Sequence, residues 1–282
     1  MSARPQVART PQELRELCEG TVAFVPTMGA LHDGHVRLME HARPLGRTLV
    51  VSIFVNPTQF AEGEDFGQYP RTWEADLERC AEAEVDVVFA PEVATMYPHG
   101  TGDQVTVDPG PLGTILEGAA RPTHFRGVLT VVAKLFGLVR PDVAVFGEKD
   151  YQQLTLIRLM ADALCLGVEV VGCPTVREAD GLAMSSRNRY LNDEERQLAV
   201  TISQALAAGV AAGPQGAQVV REAAADCLAR AGISPDYVAV TSPDLGEAPQ
   251  SGEGRLLLAA RVGQPRLLDN CAVTLGAVPE GN

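Results

Sequence analysis

Lysine is nearly absent from this chain. Of its 23 cationic residues only Lys134 and Lys149 are lysines, and arginine carries the rest. Positive charge is scarce as a whole: 36 acidic residues leave a formal net charge of −13. That balance argues against a surface built to wrap nucleic-acid phosphates. Anionic ligands, if there are any, need positive charge concentrated locally. Long hydrophobic runs are also missing. None reaches the roughly 18 residues that span a bilayer, and the N-terminal stretch lacks the apolar centre of a signal peptide. A cytoplasmic protein without a membrane partner is expected. Six cysteines (Cys18, Cys80, Cys165, Cys173, Cys227, Cys271) are scattered with no C-x-x-C pair. That spacing disfavours a metal site or disulfide framework and favours reduced thiols.

What is present is a globular chain of 282 residues, 46% hydrophobic, enough for one large or two modest domains. Thr10, Pro11 and Glu13 read as a capping box opening a helix that Gly20 ends. Short apolar, β-branched runs at 21–27, 48–55, 85–91, 143–147 and 168–174 read as strands. Helical patterns near 34–43, 72–84, 124–139 and 150–166 alternate with them. Residues 92–122 read as loops and short pieces. Continuous apolar strands separated by helices predict a Rossmann-like α/β domain over 1–175, a parallel sheet covered on both faces. Ligands in such sheets bind at the carboxyl ends of the strands. After about residue 175 the character changes. Helices near 193–211 and 215–231 precede strands at 236–242, 255–262 and 265–276, predicting a smaller α+β domain over 176–282 that covers the site as a lid.

Three motifs carry chemistry. Met28-Gly29-Ala30-Leu31-His32-Asp33-Gly34-His35 places H-x-G-H where the first of these strands meets a helix. A helix N-terminus favours anions, and two imidazoles at i,i+3 share a face. Two ordinary helix histidines are the bland alternative, and no third ligand nearby suggests a metal pair. Gly147-Glu148-Lys149-Asp150 stands at another strand-to-helix junction, where a compact ammonium suits a narrow phosphate site. Met184-Ser185-Ser186-Arg187 offers two hydroxyls and a fixed cation, a weak signal alone but a phosphate clamp in this company.

H-x-G-H followed by MSSRN resembles the paired signature elements of the class I aminoacyl-tRNA synthetase-like nucleotidyl-transfer superfamily. PTMGALHDGH, SIFVNPTQF, YPRT, THFRGV, GEKDYQQ and MSSRNRYL, in this order, resemble the pantoate–β-alanine ligase (pantothenate synthetase) family across nearly the whole chain. The resemblance implies an enzyme that joins pantoate to β-alanine through a pantoyl adenylate, consuming ATP with Mg²⁺ and releasing AMP and pyrophosphate. It also implies a cytosolic homodimer. It places Met28 to His35, Gly147 to Asp150, Val176 and Met184 to Arg187 around ATP. His35 would be the proton donor, assisted by His32 and Lys149. Gln59 would contact pantoate and β-alanine, and Gln153 would contact pantoate. Arg121 and His124 would lie near the acceptor pocket, and Pro26, Met28 and Phe60 would pack the pantoate methyls. It assigns no protein ligands to the metal. A nucleotidylyltransferase sharing H-x-G-H would not need the C-terminal domain or the glutamine motifs. A non-catalytic RNA-binding module is disfavoured by the acidic charge.

Overall fold

The computed structural model describes residues 4–61, 63, 65–102 and 104–276. The chain divides into two units. One contains residues 1–148 and 152–174, the other 149–151 and 175–282.

The first unit is built on six parallel strands: β1 (Gln6–Ala8), β2 (Val22–Thr27), β3 (Thr48–Ile53), β4 (Val87–Phe89), β5 (Val143–Gly147) and β6 (Glu169–Cys173). Their spatial order is β1-β4-β3-β2-β5-β6, and every pairing is parallel. Alternation within the strands feeds two cores. On β2, Val22 and Phe24 enter one apolar cluster with Leu14, Leu129, Phe136 and Ile157. Ala23 and Val25 enter the other, with Met39, Leu77 and Cys80. The first face is therefore covered by α1 (Pro11–Leu17), α6 (His124–Val139) and α7 (Tyr151–Ala163). The second is covered by α2 (Asp33–Ala42) and α3 (Trp73–Glu82). Two one-turn helices, α4 (Val93–Met96) and α5 (Glu117–Ala120), interrupt the loops between β4 and α6. No helix among the described residues is long and apolar enough to cross a membrane.

Two local expectations change. Helix α1 has its capping box at Thr10 and Glu13, but it ends at Leu17 because Cys18 is already extended. Gly20, at φ +65°, belongs to the turn that follows. Gln6–Ala8 is a strand paired with β4, three residues that are too few to show periodicity.

The second unit contains α8 (Asp193–Ala211), α9 (Ala217–Arg230) and an antiparallel meander of β7 (Pro235–Thr241), β8 (Gly252–Arg261) and β9 (Arg266–Leu275). These three strands form a sheet of their own. Ile202, Leu206, Val220, Leu228, Leu256 and Leu258 join in its core.

Candidate active site

The chain order reverses between neighbours β2 and β5, which makes a topological switch point, the usual ligand position of an open parallel sheet. Met28–His35 leaves the carboxyl end of β2, Asn56–Phe60 follows β3, and Glu148 follows β5.

The Met28–His35 loop is held from α3. Asp76 is 2% exposed. Its carboxylate accepts the backbone N–H of Ala30 (3.0 Å) and Leu31 (2.8 Å) and the hydroxyl of Thr72 (3.0 Å). Gly29 sits at φ +78°, and a Cβ there would stand 2.9 Å from Asp76 Oδ2, so the sharp turn against the carboxylate needs glycine. Gly29 N–H donates to Thr27 Oγ1 at 3.2 Å. Arg79, one turn along α3, pairs with Asp33 at 2.9 Å.

The two histidines cap α2 reciprocally. His32 Nδ1 accepts from Gly34 N–H at 3.1 Å, and His35 Nδ1 accepts from His32 N–H at 3.3 Å. Their ring centroids are 4.1 Å apart. Both Nδ1 atoms are acceptors, so each neutral ring carries its proton on Nε2. The backbone N–H groups of Gly29, Ala30, Leu31 and His32, which precede α2, have acceptors within the protein.

Gln59 is fixed through its side chain and its backbone. Asn56 Nδ2 donates to Gln59 Oε1 at 3.0 Å, and Gln59 Nε2 lies 3.1 Å from Met28 Sδ. The Gln59 carbonyl accepts from His124 Nδ1 (3.0 Å) and Arg121 Nη2 (3.4 Å). Arg121 and His124 thus meet Gln59. Asn56 is itself oriented by Tyr97, whose hydroxyl donates to Asn56 Oδ1 at 2.6 Å. Burial pushes the Tyr97 phenol above its ordinary pKa, which keeps the donated proton in place. Helix α6 approaches this turn closely: a Cβ on Gly127 would lie 2.3 Å from the Thr58 carbonyl oxygen. On α7, Gln153 is half-buried. Its neighbour Gln152 is buried and holds the α5 region through Glu117 N–H and the Leu112 and Ile115 carbonyls.

In the second unit, one pocket is lined by Lys149, Ser185, Arg187 and Asn188, with Arg266 and Asp269 in its wall. Val176 and Met184 meet at the neck of a hairpin, where Met184 N–H donates to the Val176 carbonyl at 2.9 Å. Arg177 and Ala183 form a bridge beside them. Ser185 Oγ caps the short helical turn Ser186–Tyr190 by accepting from Arg187 N–H at 3.3 Å. Lys149 Nζ is 3.5 Å from Asp150 Oδ1.

Asp76, Asn56 and Tyr97 were not among the residues expected from the sequence. Asp76 did leave a trace: it interrupts the apolar stripe of Trp73, Leu77 and Cys80 on α3.

The fold is thus an α/β unit with H-x-G-H at the switch point of its six-stranded parallel sheet, and a second unit that carries Lys149 with Ser185, Ser186 and Arg187. The sequence profile described as pantoate-beta-alanine ligase matches residues 5–272. The chain is 55% identical to a pantothenate synthetase of Nocardioides sp. over 98% of its length and 87% of the relative's. It is 56% identical to that of Nocardia farcinica, covering 93% and 82%. A crystal structure of pantothenate synthetase from Thermus thermophilus superposes with TM-score 0.89 at 46% identity, covering 94% of this chain and 98% of the other. The pantoate-beta-alanine ligase from Francisella tularensis, solved in complex with beta-gamma ATP and β-alanine, superposes with TM-score 0.79 at 32% identity, covering 95% and 97%. The chain belongs to the pantoate-beta-alanine ligase family, the enzymes of pantothenate formation.

Proposed function

We propose that the enzyme ligates pantoate and β-alanine through a pantoyl adenylate formed from ATP. The observation that carries this reading is the reciprocal cap of His32 and His35. It orients both rings at the switch point with Nδ1 as acceptor and the proton on Nε2, in a family whose Francisella member was solved with beta-gamma ATP and β-alanine. A carboxylate is a poor acylating agent. Attack of a pantoate carboxylate oxygen on the α-phosphorus forms the acyl–phosphate bond and breaks the bond to pyrophosphate. The β-alanine amine, unprotonated, then attacks the acyl carbon, AMP leaves, and the nitrogen loses a proton.

The first step builds charge on phosphate oxygens, so positioning and electrostatics dominate. In the first unit the His32 and His35 Nε2–H groups serve the nucleotide, with His35 as proton donor and Met28–Gly34, Gly147 and Glu148 lining it. In the second, Lys149, Ser185, Ser186 and Arg187 neutralise phosphates, with Asp150, Val176 and Met184 beside them. Gln59, its Oε1 engaged by Asn56, presents Nε2–H to pantoate and β-alanine, and Gln153 holds pantoate. Mg²⁺ would shield the triphosphate charge. Among the described residues no group of three or more His, Cys, Asp or Glu could hold a metal. The cytoplasm and a homodimer complete the reading, on family resemblance.

The direct test is a product assay with ATP, pantoate and β-alanine. AMP and pantothenate are expected in equal amounts. ADP in place of AMP, or no product, contradicts the proposal.

A further inference from the structure

Two polar residues in succession, Asp269 and Asn270, interrupt an otherwise apolar stretch of β9 and are 2% and 3% exposed. Neither has a role in the proposed chemistry. Burying a carboxylate and an amide is costly unless both are fully engaged, and here both are.

The Asn270 amide is used at both ends. Nδ2 donates to the Lys149 backbone carbonyl at 2.7 Å, across 121 positions of sequence. Oδ1 accepts from Arg255 Nε at 2.8 Å and also from its Nη2. The same guanidinium lies 3.8 Å from the centroid of the Tyr151 ring, and Tyr151 Oη donates to the Pro243 carbonyl at 2.9 Å. The segment carrying Lys149 is thus gripped at its carbonyl and at the aromatic ring two residues on.

Asp269 holds the other half. Its carboxylate binds Arg177 in two-pronged fashion at 2.6 and 3.0 Å. Arg177 also donates to the Gly181 carbonyl at 3.0 Å, which locks the 176–184 hairpin. Asn188 then ties the Ser186–Tyr190 turn to that hairpin through the Ala183 carbonyl at 3.1 Å and Glu178 at 2.9 Å.

We propose that Asp269 and Asn270 are positioning residues that hold Lys149 and the Ser185–Arg187 segment in one phosphate-binding geometry. The inference rests on the reading of Lys149, Ser185 and Arg187 as phosphate ligands. Adjacent residues of one strand set both halves of the clamp, so their spacing is fixed before the nucleotide arrives. Preorganisation of this kind matters most where charge develops, which is the adenylation step.

Asn270→Asp is nearly isosteric. It keeps an acceptor for Arg255 and replaces the donor to Lys149 with a repelling oxygen. Single-turnover adenylation should slow by about 10- to 100-fold, the cost of a small misplacement. Reaction of supplied pantoyl adenylate with β-alanine should stay near the wild-type rate. In a Lys149→Ala background the same change should cost little more, because residues acting through one another are not additive. If Asn270→Asp does not fold, Asn270→Ser serves in the same cycle. Wild-type adenylation by the Asn270 variant, equal loss in both half-reactions, or an undiminished loss in the Lys149→Ala background each overturn the inference. In those cases a slow Lys149→Ala enzyme leaves the phosphate reading standing. A Lys149→Ala enzyme that adenylates normally overturns that reading and the inference with it.

Discussion

Lys149 shows how a single residue departs from the habits of its own sequence. A chain that uses arginine almost everywhere places an ammonium where the proposed triphosphate charge would be. A contact that strengthens in the transition state lowers the barrier, whereas uniform binding would lower only KM. Lys149→Ala should slow adenylation by about 10²- to 10³-fold, and Lys149→Arg should restore only part of it because the planar fork presents its charge differently. Single-turnover measurement with ATP and pantoate checks both, and adenylation near the wild-type rate in Lys149→Ala would remove the role. Tyr97 makes a second case, acting through Asn56 on Gln59. Tyr97→Phe keeps the ring, with Lys134 Nζ 5.2 Å from its centroid, and deletes only the hydroxyl. The expected result is a raised KM for pantoate with an unchanged KM for ATP and a small change in Tm. Equal shifts in both KM values would mean that the hydroxyl is merely structural.

At the scale of elements, the strands and long helices were legible because their apolar patterns repeat. The stripe of Phe125, Leu129, Val132 and Phe136 on α6 is one example, and all four are buried. The H-x-G-H motif was legible as well, but its electrostatics were not. Nothing in the sequence shows that Asp76, on a helix some 40 residues on, takes the amides of Ala30 and Leu31, nor that each imidazole caps the other's turn. The 176–184 hairpin is likewise a tertiary product. Arg196, on α8, pairs with Glu178 at 2.6 Å and Asp180 at 2.8 Å. The hydrogen bond from Arg196, followed by that from Leu182 N–H, holds the Asp180 carboxyl below its ordinary pKa. A depressed folded pKa favours folding above the unfolded value, near 4, and that contribution is lost as pH falls through the lower folded value. Asp180→Asn should therefore melt at lower temperature than the wild type at neutral pH, and its Tm should fall less steeply below about pH 4. Calorimetric melts across that range measure it, and parallel curves would contradict the assignment.

For the whole molecule, the change from parallel to antiparallel sheet follows a change in strand pattern that is visible near Thr175. The membership of Lys149–Tyr151 in the second unit was not visible there, because Asn270 and Arg255, which secure it, lie more than a hundred residues away. On the proposed reading, the net charge of −13 is reconciled with anionic substrates by Lys149, Arg187 and Arg266, which line one pocket together with Asp269. On that reading these groups serve a first step complete in itself, the adenylation of pantoate. Exchange of labelled pyrophosphate into ATP isolates that step. With pantoate present and β-alanine absent, the label should appear in ATP. Exchange that appears only when β-alanine is added would contradict a free-standing adenylate and the two-step account with it.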